Sequence, residues 1–248
     1  MEKFCLVTGT STGIGYHVAQ SLLSAGWHVL GVSRRAGALQ HPRYRHVRLD
    51  LGDISAVQSY FESVFPNEVN LSTFSRVGLV NNAALLSPVG PIDTVDLEAL
   101  ELAFRVNTVV PAWLMGYFKR ASAHAHLRIL NVSSGAAHRP TAGWTAYCGT
   151  KAALRMASQV LAAEWAEIPR PASPAGTLAV CCFEPGVVDT PMQDEVRRQN
   201  PENFPRVQRF LELKAAGQLI PPEKPALAMA RWLDSDPAEV FTETRFQG

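Results

Sequence analysis

Nothing in this sequence is apolar for long enough to be expected to cross a bilayer. The longest such stretch, Val106 to Phe118, is interrupted by Asn107 and Pro111 and falls short of the roughly 20 residues a spanning helix needs. Excess charge is missing too. Lys and Arg number 23 against 22 Asp and Glu, a formal net charge of +1, so there is no electrostatic reason to expect nucleic acid or an anionic membrane as partner. Cysteine is scarce: Cys5, Cys148, Cys181 and Cys182 have neither C-x-x-C nor metal-ligand spacing and read as reduced residues of a cytoplasmic protein. His124 and His126 lack the partners of a metal site, so no metal is expected. No charged-then-apolar leader precedes Phe4-Cys5-Leu6-Val7, and no signal peptide is expected. Repeats of solenoid period are absent.

What remains is an ordinary globular composition, 47% hydrophobic and 18% charged over 248 residues, enough for one large domain or two small ones. Apolar strand-like runs alternate with helical spacing. Strands are expected at Lys3 to Val7, Trp27 to Val32, Tyr44 to Leu49, from Leu79 to about Asn81, Leu127 to Val132 and Leu178 to Phe183. Helices are expected at Tyr16 to Ala25, at about Ser55 to Phe65 with Asp53 as cap, at Leu97 to Tyr117 with a bend near Pro111, from Tyr147 onward, and at Lys224 to Leu233. This order predicts an α/β fold, a doubly wound parallel sheet covered on both faces. The Pro-rich piece Pro169 to Pro174 reads as a surface connection. Residues 186–222, polar and Pro-punctuated, suit a lid or substrate-binding insertion.

Polar groups with chemical potential gather between Asn131 and Lys151. Ser133 sits where an apolar strand ends, and Tyr147 and Lys151 lie four apart on one helix face. A hydroxyl, a phenol and an ammonium that converge can hand a proton to a carbonyl oxygen. Tyr-x-x-x-Lys alone is a common spacing, and a half-buried tyrosine beside a solvated lysine is the simpler reading of it; context decides. The first strand runs into Gly9, Ser11, Thr12, Gly13, Ile14 and Gly15 and then a helix, the setting in which a backbone cradles a pyrophosphate. At the end of the second strand, where an NAD site places an acid, stand Ser33, Arg34 and Arg35. A hydroxyl and two guanidinium groups suit a 2′-phosphate, which favours NADP(H), with Arg34 preferred over Arg35. Asp50 and Leu51, ending the third strand, are placed to meet the adenine edge.

Together these residues resemble the short-chain dehydrogenase/reductase family over nearly the whole chain. The T-G-x-x-x-G-x-G motif matches Thr8 to Gly15, N-N-A matches Asn81-Asn82-Ala83, the catalytic serine matches Ser133 and Y-x-x-x-K matches Tyr147 to Lys151. Asn107 matches the family's helix asparagine, and Pro185-Gly186 with Thr190 matches its P-G…T segment. The resemblance implies one Rossmann-type domain over residues 1–248. Tyr147 would be the general acid, and Ser133 would hold the carbonyl oxygen. Lys151 would favour phenolate and bond the nicotinamide ribose, while Asn107 would hold a water in a proton relay. Asn82, Ala83, Pro185, Gly186, Val188 and Thr190 would close on the cofactor. It also implies a homodimer or homotetramer built on the helices near Leu97 and Tyr147.

Within the family the nearest likeness is to sepiapterin and benzil reductases. Gly143-Trp144-Thr-Ala-Tyr147-Cys148, Lys151-Ala-Ala153, Pro185 to Gln193 and Glu212-Leu-Lys214 carry it. That branch implies NADPH-dependent reduction of a vicinal diketone or similar activated ketone, with Trp144 and Met192 beside Ser133 in the substrate pocket and Phe183 and Phe210 as further apolar candidates. Sepiapterin reduction is the alternative within the enzyme class. Against it, Arg245 stands where sepiapterin reductases carry a pterin-gripping acid, and a cation cannot accept those hydrogen bonds unless Glu243 takes over. A non-catalytic NADP(H)-binding regulatory protein is the alternative of another class. His138, beside the catalytic loop, is expected at the surface or pocket rim.

Overall fold

The structure, a computed structural model, describes residues 2–168 and 176–247. The connection expected from Pro169 to Pro174 lies outside the described residues. Seven parallel strands form one sheet: β1 (Lys3–Thr8), β2 (His28–Ser33), β3 (Tyr44–Arg48), β4 (Arg76–Asn81), β5 (His126–Val132), β6 (Leu178–Glu184) and β7 (Phe241–Arg245), in the order β3-β2-β1-β4-β5-β6-β7. The helices are α1 (Gly13–Ser24), α2 (Ile54–Ser59), α3 (Phe65–Glu68), α4 (Leu97–Phe104), α5 (Val110–Ala121), α6 (Thr145–Glu167), α7 (Pro191–Arg197), α8 (Val207–Ala215) and α9 (Glu223–Asp234).

Strand alternation explains the two-sided cover. In β1, Phe4 and Leu6 point into a core with Phe61, Phe65, Leu114 and Phe118, while Cys5 and Val7 point the other way to Val18, Leu22, Trp27 and Met229. Successive side chains of a strand face opposite sides, so a strand apolar at every position must be covered twice. Burial pushes the Cys5 thiol far above its ordinary range, as suits a packing residue.

Two helices depart from the regular course expected of them. The second starts under its Asp53 cap, whose carboxylate accepts from Ala56 N at 2.9 Å, and then widens into a π-type turn over Tyr60–Val64 before α3. The long helix is interrupted by a second wide turn, Arg105–Val109, immediately before Pro111. Proline has no N–H to give the carbonyl four residues back, that of Asn107, so the regular ladder fails at this point. The seventh strand is one more than the sequence reading gave. Its residues, Phe-Thr-Glu-Thr-Arg, are half-buried or exposed because it is the sheet edge, and they carry none of the apolar continuity that marks the inner strands.

A charge cluster fastens the neighbouring strands β4 and β5 to the loop that follows α9. Asp236 receives Arg76 Nη2 at 2.7 Å and Arg128 Nη2 at 2.8 Å. Arg128 is buried and also donates to Ser235 O, Leu127 O and Thr177 Oγ1, whereas Asp236 is mostly exposed. Removing the buried partner should therefore cost more than removing the exposed one. Arg128→Ala is expected to lower stability by about 3 kcal/mol and Asp236→Ala by about 1 kcal/mol in chemical denaturation, and the reverse ranking would refute this account of the cluster.

Candidate active site

The sheet's chain order reverses between β1 and β4, and the strands on either side end in a shared crevice, the place where parallel α/β sheets bind ligands. A hydroxyl holds that crevice in shape. Thr8 Oγ1 accepts from Asn82 N and Ala83 N, each at 3.0 Å, and donates to Val80 O. Asn82 Nδ2 returns a bond to Thr8 O at 2.9 Å. Gly9 follows with φ +75°, a left-handed conformation, and a Cβ there would stand 2.7 Å from Asn82 Nδ2. Only glycine fits this cradle.

The crevice opens into a cavity of about 800 Å³. Gly9, Ser11, Thr12, Gly13, Ile14, Ser33, Arg34, Arg35, Asp50, Leu51, Asn82 and Ala83 line one part of it. Ser133, Trp144, Tyr147, Lys151, Pro185, Gly186, Val188, Thr190 and Met192 line the other. The sequence reading placed two more residues here that do not face the cavity. Gly15 is buried inside the turn, where a Cβ would collide with the Gly9 carbonyl; it serves close packing of helix on strand. Asn107 is wholly buried and its side-chain amide is already committed. It donates to Leu85 O at 2.8 Å and Thr150 Oγ1 at 3.1 Å, and accepts from Leu85 N at 2.7 Å. The side chain thus acts one layer back, fixing the Leu85 loop.

Ser133 is 5% exposed and its Oγ has no hydrogen-bond partner among the described residues. A buried hydroxyl left unpaired costs free energy unless something outside the chain completes it. Tyr147, also buried, has its phenol pushed up to about 12, first by burial, with a bond from the Ser134 hydroxyl opposing that rise. Lys151 Nζ lies 5.7 Å from the Tyr147 ring centroid and donates to Val132 O at 2.7 Å. Burial pulls its ammonium down from 10.5 to about 8. Burial is the largest influence on both groups.

The substrate side is aromatic. Trp144 stacks on Phe204 with centroids 4.8 Å apart and a 7° interplanar angle, and Phe210 closes on both at 5.7 Å. Gly143 makes this possible: its φ is +82°, and a Cβ would collide with the Asn203 carbonyl of the lid. Phe183, an expected pocket residue, instead packs in the core with Val132 and Cys181. Glu243 cannot replace the pterin-gripping acid, because Arg155 clasps it at 2.5 and 2.8 Å and His138 stands at 3.6 Å. His138 also meets Glu184 at 3.2 Å. His124 and His126 each bond a nearby oxygen. The sequence reading missed Glu184, Arg139, Arg206 and Arg209 as cavity residues. The only signal for the last two was their three-residue spacing on a lid helix.

The unpaired Ser133 hydroxyl and the glycine cradle fit a nicotinamide dinucleotide, with Ser133 and Tyr147 toward the reacting end. Arg34, which has no partner among the described residues, and Arg35, 3.5 Å from Thr12 Oγ1, stand where the adenosine end would lie. Ser33 is already engaged by Arg35 O and His46.

Comparison with known proteins agrees with this geometry. Residues 3–201 match the sequence model of the family described as short chain dehydrogenase. The chain is 31% identical over 243 residues to a benzil reductase ((S)-benzoin forming) of Bacillus cereus, covering 94% of this chain and 95% of that protein. A benzil reductase ((S)-benzoin forming) of Bacillus subtilis is 29% identical, over 90% and 89%. The crystal structure of the KRED1-Pglu enzyme superposes with a TM-score of 0.79 at 28% identity, covering 97% of this chain and all of that one.

Two outcomes follow from the buried lysine. Its folded pKa lies below its ordinary value, so the charged form is disfavoured by folding; that penalty is full below about pH 8 and fades as pH climbs toward 10.5. Lys151→Met is therefore expected to abolish turnover yet raise stability at pH 7, by about 1 to 3 kcal/mol; a less stable variant contradicts the burial argument. In the wild type, kcat/KM for carbonyl reduction should fall as pH rises through about 8, where the free enzyme's ammonium discharges, and a profile level to pH 10 would exclude that role.

Proposed function

The chain belongs to the short-chain dehydrogenase family, and on that premise we propose that it is an NADPH-dependent carbonyl reductase acting on a vicinal diketone or similarly activated ketone. The buried, unpartnered Ser133 hydroxyl beside the Tyr147 phenol carries the reading. It is a donor at the cavity wall, and a substrate carbonyl supplies an acceptor for it.

When bound, the reduced nicotinamide supplies the hydride. Ser133 donates to the carbonyl oxygen and stabilises the charge that gathers there as the carbon is reduced. Tyr147 gives that oxygen its proton; burial keeps it a phenol at neutral pH, the form a general acid requires. Lys151 steadies the phenolate left behind, its Nζ fixed by Val132 O. Asn107 holds the Leu85 loop in place at the cavity, and Pro185, Gly186, Val188 and Thr190 would help to hold the cofactor.

Two features support the finer choices. Arg34 offers a guanidinium that no acid neutralises among the described residues, suited to a 2′-phosphate. Trp144 and Phe210, backed by the buried Phe204, give the cavity an aromatic surface that suits a flat aromatic substrate, and benzil, the compound in the Bacillus relatives' names, is an aromatic vicinal diketone.

Purified protein is expected to oxidise NADPH with benzil or diacetyl, and to lose that activity in Tyr147→Phe. A panel of diketones, quinones and aldehydes that leaves NADPH untouched would refute the proposal. Arg34→Ala should raise the NADPH KM about tenfold or more while changing the NADH KM less than about twofold; equal losses would move the 2′-phosphate elsewhere.

A further inference from the structure

Four arginines on the substrate side of the cavity serve no purpose that a neutral diketone explains. Arg206 and Arg209 stand at the start of α8, Arg139 follows the Ser133-Ser134 loop, and Arg245 ends β7, and all four line the cavity. No acid or hydrogen-bond acceptor holds their guanidinium groups among the described residues. Arg76 and Arg128, by contrast, are held by Asp236, and Arg155 by Glu243. The two carboxylates on this side are engaged in other ways: Glu184 meets His138 at 3.2 Å, and Glu195 accepts from Ser87 Oγ at 2.6 Å.

The cofactor's phosphates are not what these arginines await. Arg34 follows β2 and Arg245 ends β7, five strand spacings away in the sheet, which is roughly 24 Å. The glycine turn follows β1, on the Arg34 side. Between the two ends lie Ser133 and Tyr147, with the aromatic wall on the lid side. A substrate reacting at Tyr147 with its ring on Trp144 or Phe210 therefore extends toward uncommitted positive charge.

We propose that the substrate side of this cavity recognises a carboxylate, so that the enzyme favours aryl 2-oxo acids and other carboxylated vicinal carbonyls over neutral ones. Guanidinium groups pair with a carboxylate through parallel N–H donors, and because all four are exposed at the cavity rim that attraction is open to salt. The reaction stays balanced and rests on the reductase reading: the ketone carbon accepts the hydride that the reduced cofactor supplies, its oxygen takes the Tyr147 proton, and a 2-hydroxy acid leaves with the cofactor oxidised. The carboxylate takes no part in bond making; it orients the ketone.

Benzoylformate and its methyl ester present the same ketone with and without the charge. In the doubly substituted Arg206→Ala/Arg209→Ala and Arg139→Ala/Arg245→Ala proteins, at least one is expected to lose about tenfold or more in kcat/KM for the acid while the ester changes less than about twofold. Added salt should weaken the acid's advantage in the wild type alone. Equal changes for acid and ester, or none in either variant, overturn the inference. A binding measurement separates it from the reductase reading. Tryptophan fluorescence of the NADP⁺ complex, titrated with each ligand, should report tighter binding of benzoylformate, lost in the variants. Should neither compound be reduced yet the acid bind selectively, the reductase reading falls and the carboxylate site stands; equal binding of acid and ester sinks the site whatever the turnover.

Discussion

Thr8 is where the fold and the site depend on a single side chain. Where the strand order reverses, β1 and β4 part company and their last backbone groups lose the ladder that satisfied them. The Thr8 hydroxyl takes up two of those orphaned N–H groups, from Asn82 and Ala83, and passes its own proton to Val80. Satisfying them fixes the rims of the crevice relative to one another. The glycine turn and the Asn82 loop then approach so closely that no Cβ is tolerated at Gly9. Everything beyond, from the cavity floor to the seating of Ser133, inherits that spacing.

A second constraint runs against the first. Folding satisfies polar groups wherever it can, yet at this site it leaves Ser133 and Trp144 with orphaned donors and an ammonium buried against one carbonyl. Buried groups left unpaired detract from stability, and folded chains carry them mainly where a site requires them. The neighbouring Asn81, Asn131 and Ser158, equally buried, are linked at 2.8 Å at each step.

Most of this was legible in the sequence because it is written in local patterns. Doubly apolar strands announced a covered parallel sheet, and the glycine spacing, the Asn-Asn-Ala strand end and the Tyr-Lys pair each occupy a short stretch. What escaped is what depends on partners far away in the chain. The edge strand at Phe241–Arg245 has no apolar signature, since half of it faces water. Asn107 looked like a group facing the site, and its engagement by Leu85 arises only when the wide turn before Pro111 meets the β4 loop. Phe183 was indistinguishable from Phe210 by composition, yet one packs under a helix and the other walls the cavity. Arg206 and Arg209 belong to no motif, and only the position of the lid brings them to the cavity.

The buried ammonium has a consequence for how such a protein changes over time. Any substitution that makes Lys151 uncharged and greasy relieves a burden on the folded state, so drift and laboratory screens that reward heat resistance alone are pushed toward erasing it. Inactive descendants of this chain should therefore be sturdy rather than broken, and a robust scaffold with methionine or leucine at this position is the fossil that such a history would leave.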